Sequence, residues 1–253
     1  MNKKPKTNLV IPMAGRGSRF IEAGWATPKP FIQFGNGKRL IEVVTENVTP
    51  KRGFHDVRYL ALSEHVDDLQ YKDVLPEEKI YRVEQVTEGA ACTVLLVEDF
   101  INNDNPLLLA NSDQYVIQNM KKKVKMFSID DFIKDALGRG LDGSIVTFTA
   151  SEPKWSFAKL SGETGLVTEV AEKQPISDIA TVGIYWFRHG SDFVKYAKQM
   201  IDKDIRVNGE FYVCPVFNEA IGDGKKIGIY HVNEMLGFGT PEDLAANAWL
   251  FNV

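Results

Sequence analysis

Cysteine and histidine are scarce in this sequence. Its 253 residues include two cysteines and four histidines, too few and too scattered for a disulfide framework or a thiolate metal centre. Cys92 and Cys214 each lie in an apolar context and read as small buried hydrophobes. His55, His65, His189 and His231 stand in unrelated contexts and point to no catalytic base. No apolar stretch approaches the length that crosses a bilayer. The basic opening "MNKKPKTN" leads into "LVIPMAG", whose apolar part is short and broken by Pro12, unlike the core of a secretory leader. A basic excess is missing as well: the net charge is −4 and the pI about 5.7, against the habit of duplex binders. Membrane and nucleic acid therefore drop out as expected partners, and a cytoplasmic location is expected. Small anions stay in play, because they need only a local positive pocket.

What is present is an ordinary globular composition, with 44% hydrophobic side chains, enough for one large domain over 1–253. Strand-like runs alternate with helix-like runs through the first half. "NLVIPM", "DVRYLAL", "KIYRV", "PLLLAN" and "GSIVTFTA" read as strands. "KRLIEVVTENV" carries Leu40, Val43, Val44 and Asn47–Val48 along one side of a helix. "TEGAACTVLLVEDFI" reads as one helix capped by Thr87, and "SIDDFIKDAL" as one capped by Ser128. This alternation predicts an α/β, Rossmann-like three-layer fold with a mainly parallel mixed sheet. In the second half, "WSFAKL", "GLVTEVAEK" and "IATVGIYWF" predict a smaller antiparallel patch, followed by helices at "SDFVKYAKQMI" and "PEDLAANAWLF". The halves divide near residue 150. The run "KKKVK" at 121–125 reads as a solvated face.

Ligands of open parallel sheets bind beyond the carboxyl ends of the strands, so the loops there carry the functional signal. In "AGRGSRF", Gly15 and Gly17 permit a tight turn whose N–H groups can converge on a phosphate, with Arg16 and Arg19 adding charge. The turn imitates a dinucleotide fingerprint but lacks its third glycine. Pro28 and Pro30 bracket Lys29 and hold it ready for an anion. Gln85 offers a donor and an acceptor to a base edge, and Gly89, Ala90 and Ala91 leave room for a flat ring. Asp113 follows a strongly apolar strand, where a hard cation finds a carboxylate. Glu172 and Lys173 end another strand. Thr240 and Pro241 mark a helix start that needs no ligand to explain it. Each loop taken singly has an ordinary structural account: a turn, a rigid loop, tight packing, a cap or a surface ion pair.

Together, and in this order, "LVIPMAGRGSRF", "PKPFI", "TEGAACTV", "NSDQY", "EVAEKQP", "ATVGIYWF" and "GTPEDL" resemble the sugar nucleotidyltransferases over nearly all of residues 8–250. "IPMAG" and "NGEFYVCPVFNEAI" resemble the subgroup tied to capsule and surface-polysaccharide assembly. The resemblance implies an NTP bound by Ala14, Gly15, Gly17, Ser18, Arg19, Lys29, Gln85, Gly89, Ala90 and Asp113. It implies Mg²⁺ on Asp113, and an acceptor held by Glu172, Lys173 and Gly183. The family's second metal aspartate is matched by Gly237, and Glu234 nearby is the expected substitute. The pair that touches the sugar is expected at Ser156 and Phe157, a departure from the family's aromatic–glycine pair that opens non-sugar acceptors such as phospho-L-glutamine. CTP is the expected nucleotide and a homodimer the expected assembly. With little chain after the last motif, neither a C-terminal acyltransferase nor a β-helix is expected.

The expected chemistry is attack by the acceptor's phosphate on the α-phosphorus, with Arg19, Lys29 and Lys173 as the catalytic cations. A nucleotide-sugar-dependent glycosyltransferase, a nicotinamide oxidoreductase and a non-catalytic nucleotide binder are the rivals. Asn111-Ser112-Asp113 stands where the first would carry Asp-x-Asp.

Overall fold

The computed structural model describes residues 6–120 and 123–251. Its strands are β1 (Thr7–Pro12), β2 (Phe54–Leu62), β3 (Ile80–Val83), β4 (Leu107–Ala110), β5 (Gln114–Met120), β6 (Lys123–Met126), β7 (Gly143–Thr149), β8 (Ser156–Leu160), β9 (Val167–Glu172), β10 (Ile179–Phe187), β11 (Ile227–His231) and β12 (Glu234–Gly237). The main sheet runs β3-β2-β1-β4-β10-β7-β11. Its pairs are parallel except where β10 meets β4 and β7. β8 and β9 form an antiparallel annexe joined to β10 through Phe157 and Ala180. The Rossmann-like mixed sheet and the antiparallel patch are thus as the sequence predicts.

Parallel strands buried on both faces need unbroken apolar runs. Leu9, Val10 and Ile11 are all fully buried. Val10 faces one core cluster with Leu60, Leu107 and Leu109, whereas Leu9 and Ile11 face the other with Tyr59, Leu108 and Trp186. The helices are α1 (Ser18–Glu22), α2 (Leu40–Val48), α3 (Ser63–Val66), α4 (Ala90–Leu95), α5 (Glu98–Ile101), α6 (Ile129–Gly138), α7 (Gly190–Asp202), α8 (Val216–Gly222) and α9 (Pro241–Asn247). α4, α5, α7 and α8 contribute to the first cluster and α6 to the second. Ser128 and Thr240 cap α6 and α9, each side-chain oxygen accepting the N–H three residues on, a contact worth about 1 kcal/mol.

A second sheet, β12-β5-β6, is antiparallel. It rests on a third cluster that joins Phe20, Phe34, α2 (Leu40, Val44) and α9 (Leu244) to Tyr115, Phe238 and Phe251. Asn47 on α2 clasps β5 by both of its amide atoms: Nδ2 donates to the Val116 carbonyl at 3.2 Å, and Oδ1 accepts the Val116 N–H at 2.9 Å. The β5–β6 hairpin, β11, β12 and α8 are elements the sequence pattern does not announce. Lys121 and Lys122 of "KKKVK" lie outside the described residues.

The expected long helix from Thr87 is two short ones, α4 and α5, parted at Val97. Its cap is Gly89, not Thr87. The Thr87 hydroxyl instead donates to the Gly89 carbonyl at 2.9 Å. The cause is tertiary. The backbone of Phe211 crosses here, its N–H donating to the Glu88 carbonyl and its carbonyl accepting from Ala91 N. A Cβ on Gly89, at φ +133°, would meet the Phe211 backbone.

Candidate active site

Two hollows open beside the carboxyl ends of β1 and β4. The smaller, about 250 Å³, is walled by the turn after β1, by Lys29, and by Val86–Thr87 and Gly89–Ala90. The larger, about 570 Å³, is walled by β10, by the β8–β9 annexe and by the β12–α9 junction. Ala90, Asn111 and Asp113 face both, so Asp113 sits on a shared wall.

The turn after β1 is built as the sequence predicts. Gly17 takes φ +67° and starts α1, and a Cβ there would lie 3.4 Å from the Lys29 Cβ. Ala14, Gly15 and Gly17 line the smaller hollow, while Ser18 is exposed at the first residue of α1. Arg16 and Arg19 are both exposed, and among the described residues neither makes an ion pair. Arg19 lines the larger hollow, and Arg16 a third one, with Trp25 and His65. Lys29 opens a single turn, Lys29–Phe31, between its two prolines. Its Nζ donates to Asp113 Oδ2 at 2.7 Å, and both side chains are about four-fifths buried. Gln85 is exposed, and its neighbours Val86 and Thr87, not Gln85 itself, form the wall. Gly89 and Ala90 are on the wall, but the space beside Gly89 is taken by Phe211.

In the larger hollow Glu172 and Lys173 part company, which excludes a simple surface pair. Glu172 Oε2 accepts the Ser156 hydroxyl proton. Burial pushes its carboxyl above the ordinary value, against the pull of that hydrogen bond and of the Lys173 charge. Lys173 takes φ +56°, a left-handed conformation that costs a non-glycine residue about 1–3 kcal/mol. Its backbone N–H donates to the Trp155 carbonyl at 2.9 Å, and its Nζ donates to the Tyr212 hydroxyl at 2.5 Å. Burial, then the neighbouring Glu210, pushes the Tyr212 phenol up, so it stays a neutral partner.

Gly183 sits where β10 slips register against β7, at φ +85°. A Cβ there would meet the side-chain amides of Gln114 and Asn111, so the bulge brings backbone where no side chain fits. Gln114 Oε1 is buried without a hydrogen-bond partner. Cys214 and Tyr185 also face this hollow. Burial raises both, which leaves the thiol unreactive. Cys92 and Cys214 are free, as expected. The annexe residues facing the hollow are Trp155 and Ser156. Phe157, expected at the sugar, is fully buried in the sheet.

The second carboxylate differs from expectation. Gly237 lies opposite Gln114 and lines the hollow, while Glu234 lies opposite Ile117, at the far end of β12. Glu234 is exposed and is not on the wall. Three residues of strand separate the two, about 10 Å. Asp243, in the first turn of α9, does face the hollow, with Lys154 Nζ 3.6 Å from its Oδ1. Sequence reasoning missed Asp243, Lys154, Asn111, Gln114 and Tyr212. Asp243 was hidden because Thr240 and Pro241 account for that segment as a helix start. Among the described residues no three His, Cys, Asp or Glu side chains gather to hold a metal, and no helix is long and apolar enough to cross a membrane.

The fold has close counterparts among solved structures. A nucleoside-diphosphate-sugar pyrophosphorylase from Vibrio cholerae RC9 superposes with a TM-score of 0.77 at 23% identity, covering 95% of this chain and 99% of that one. A Bacillus anthracis protein assigned as a glucose-1-phosphate thymidylyltransferase gives 0.73 at 17% identity, with coverage of 97% and 95%. A UDP-glucose pyrophosphorylase complexed with UDP-glucose gives 0.73 at 14%, with coverage of 96% and 97%. At these identities the likeness is one of fold. No curated protein matches the sequence significantly. The sequence model of the nucleotidyl transferases, however, matches residues 9–226, a span that takes in the glycine turn, Lys29, Asp113 and the Glu172–Lys173 corner. The chain belongs to the nucleotidyl transferase family.

Proposed function

We propose that this protein moves a nucleoside monophosphate from an NTP to the phosphate of a small acceptor and releases pyrophosphate. The observation that carries the reading is the shared wall. Asp113, held by Lys29 at 2.7 Å, faces two adjoining hollows that each present free cationic side chains or backbone N–H groups. The pyrophosphorylase names of two of the structural counterparts support the same reaction class.

The NTP lies in the smaller hollow. Backbone N–H groups of Ala14, Gly15, Gly17 and Ser18 meet its phosphates; Lys29 on the same wall, and Arg19 reaching from the larger hollow, carry the charge of the departing pyrophosphate. The base lies along Val86–Thr87 and Ala90, with Gln85 at the exposed rim. The acceptor lies in the larger hollow, its phosphate on Lys173, its polar groups on Glu172 and against the bare backbone of Gly183. One acceptor oxygen bonds to the α-phosphorus as the bond from that phosphorus to the β-phosphate oxygen breaks. The nucleophile needs no base, because the second pKa of a phosphate monoester is about 6. Catalysis is then positioning and charge stabilisation.

Asp113 suits Mg²⁺, since it offers hard carboxylate oxygen and already holds a cation, the Lys29 ammonium. When bound, such an ion draws charge off the phosphates. CTP as the donor, a capsule or surface-polysaccharide role, an acceptor that is either a sugar 1-phosphate or a precursor such as phospho-L-glutamine, and a homodimer are further parts of the proposal. They rest on the resemblance of "IPMAG" and "NGEFYVCPVFNEAI". Pyrophosphate release, assayed with five NTPs against sugar 1-phosphates and phosphorylated amino acids, tests it. Release that needs both an NTP and an acceptor supports the reading. Release with no pair, or without an acceptor, sinks it.

A further inference from the structure

Glu172 and Lys173 are chain neighbours of opposite charge, both half-buried and both facing the larger hollow. Among the described residues Lys173 nevertheless makes no ion pair. Its ammonium donates to the Tyr212 hydroxyl at 2.5 Å and lies 4.6 Å from the centre of that ring. The partner is neutral, since burial and the adjacent Glu210 keep the phenol's proton on. Glu172 for its part accepts from the Ser156 hydroxyl. Tyr185 and Cys214, which feel the Glu172 charge from its other side, are kept neutral by burial. One ammonium thus has Glu172 beside it in the chain and Glu210 beside its phenol, and the phenol holds it instead.

The phenol is itself fixed from the side of the other hollow. It ends the segment 206–212, whose turn at Asn208 and Gly209 takes φ +50° and +81°, the paired positive values of a tight type I′ hairpin. Val207 and Glu210 close that turn by exchanging N–H···O bonds at 3.0 Å. Arg206 clasps its base: it donates to the Gly209 carbonyl, pairs with Glu88, and lies 4.0 Å over the Phe211 ring. The Phe211 backbone is bonded in turn to Glu88 and Ala91. Glu210 stands on the wall of the smaller hollow and Tyr212 on that of the larger. One short, stiff piece of chain therefore sets Tyr212 against the wall of the other hollow.

We infer that Tyr212 is the positioning residue for Lys173: its hydroxyl keeps the ammonium off both carboxylates and presents it, uncommitted, to the acceptor's phosphate. The inference rests on the nucleotidyl-transfer reading above. An ammonium bound to a carboxylate must lose that attraction before it takes a phosphate, whereas one held by a neutral oxygen gives up much less. Because the same segment walls both hollows, the acceptor's cation is indexed to the place where the NTP lies, which is the alignment that an in-line transfer requires.

The test is Tyr212→Phe in the full chain, which keeps the ring and removes the oxygen. The Glu172 carboxyl is followed by carbon-13 NMR without any ligand, its signal assigned by its loss in Glu172→Gln. Freed from the phenol, Lys173 moves onto Glu172, and that carboxyl should titrate at lower pH than in the parent. In a Lys173→Met background, adding Tyr212→Phe should leave the titration where it was, which a merely structural role for Tyr212 does not require. The second readout is pyrophosphate release with the NTP and phosphorylated acceptor that support it. The acceptor KM should rise about tenfold, with kcat and NTP affinity within about twofold of the parent. An unmoved Glu172 titration in Tyr212→Phe overturns the inference, and so does a shift that persists without Lys173. A parent-like acceptor KM, or a joint fall of kcat and NTP affinity, overturns it too. Release with no NTP and acceptor pair sinks the reaction itself, and the Glu172 titration then decides by itself whether Tyr212 holds Lys173 away.

Discussion

The smaller hollow owes its shape to backbone: a glycine turn at Gly15 and Gly17, a proline-locked lysine, and Gly89 pressed against another stretch of main chain. The larger owes its shape to side chains, among them a half-buried Glu172, a strained Lys173 and the amides of Asn111 and Gln114. Backbone reads phosphate, which every NTP shares. Buried side chains with fixed donors and acceptors read one acceptor and reject its analogues. On the proposed reading, this division of labour puts generic binding on one side of Asp113 and specificity on the other.

The largest way to break this contrast is to remove the cation that holds Asp113, the carboxylate both sides share. Lys29→Ala should lower turnover about 10²- to 10³-fold, in initial rates of pyrophosphate release, with an unchanged circular dichroism spectrum. Lys173→Met should act on one side only. Its kcat/KM for the acceptor should fall about 10²-fold while NTP affinity, measured by calorimetry, stays put. Glycine substitutions sharpen the contrast in stability. Gly183→Ala meets two amides at a left-handed φ and should cost about 2–4 kcal/mol in urea denaturation. Gly15→Ala meets nothing within 4 Å and should stay within about 0.5 kcal/mol.

The smallest effect concerns Glu172. Burial raises its pKa in the folded state, so the folded protein holds that proton more tightly than the unfolded chain does. Stability is therefore lost as pH rises from the ordinary glutamate range through the raised value. Glu172→Gln, which keeps an oxygen for Ser156, should stabilise at neutral pH, with the gain vanishing in acid. Melting temperatures across that range check it, and a uniform gain at every pH would contradict it.

The parallel strands were legible because burial on both faces writes an unbroken apolar run, as at Leu9-Val10-Ile11. The caps at Ser128 and Thr240 were legible because they are local. The start of α4 at Gly89 was not, since it is set by the Phe211 backbone, more than a hundred residues away in the chain. For the site, the glycine turn, Lys29 and Asp113 could be found because each follows a strand and carries its own local signature. Asp243 could not, because a helix start explains it fully until α9 is seen beside Asp113. Glu234 was misjudged because closeness in sequence along an extended strand is not closeness in space. Gly183 was named by resemblance alone. Its physical reason, a slip in register against two amides, exists only in the assembled sheet.

Asn47 has a consequence beyond α2. By taking both the N–H and the carbonyl of Val116, its carboxamide imitates a rung of a neighbouring strand, so a single helical side chain closes one edge of the hairpin that follows Asp113. The position of Asp113, three residues before Val116, is therefore tied to the C-terminal turn of α2. Sequence drift at position 47 would be felt as a change in catalytic registration long before it was felt as unfolding.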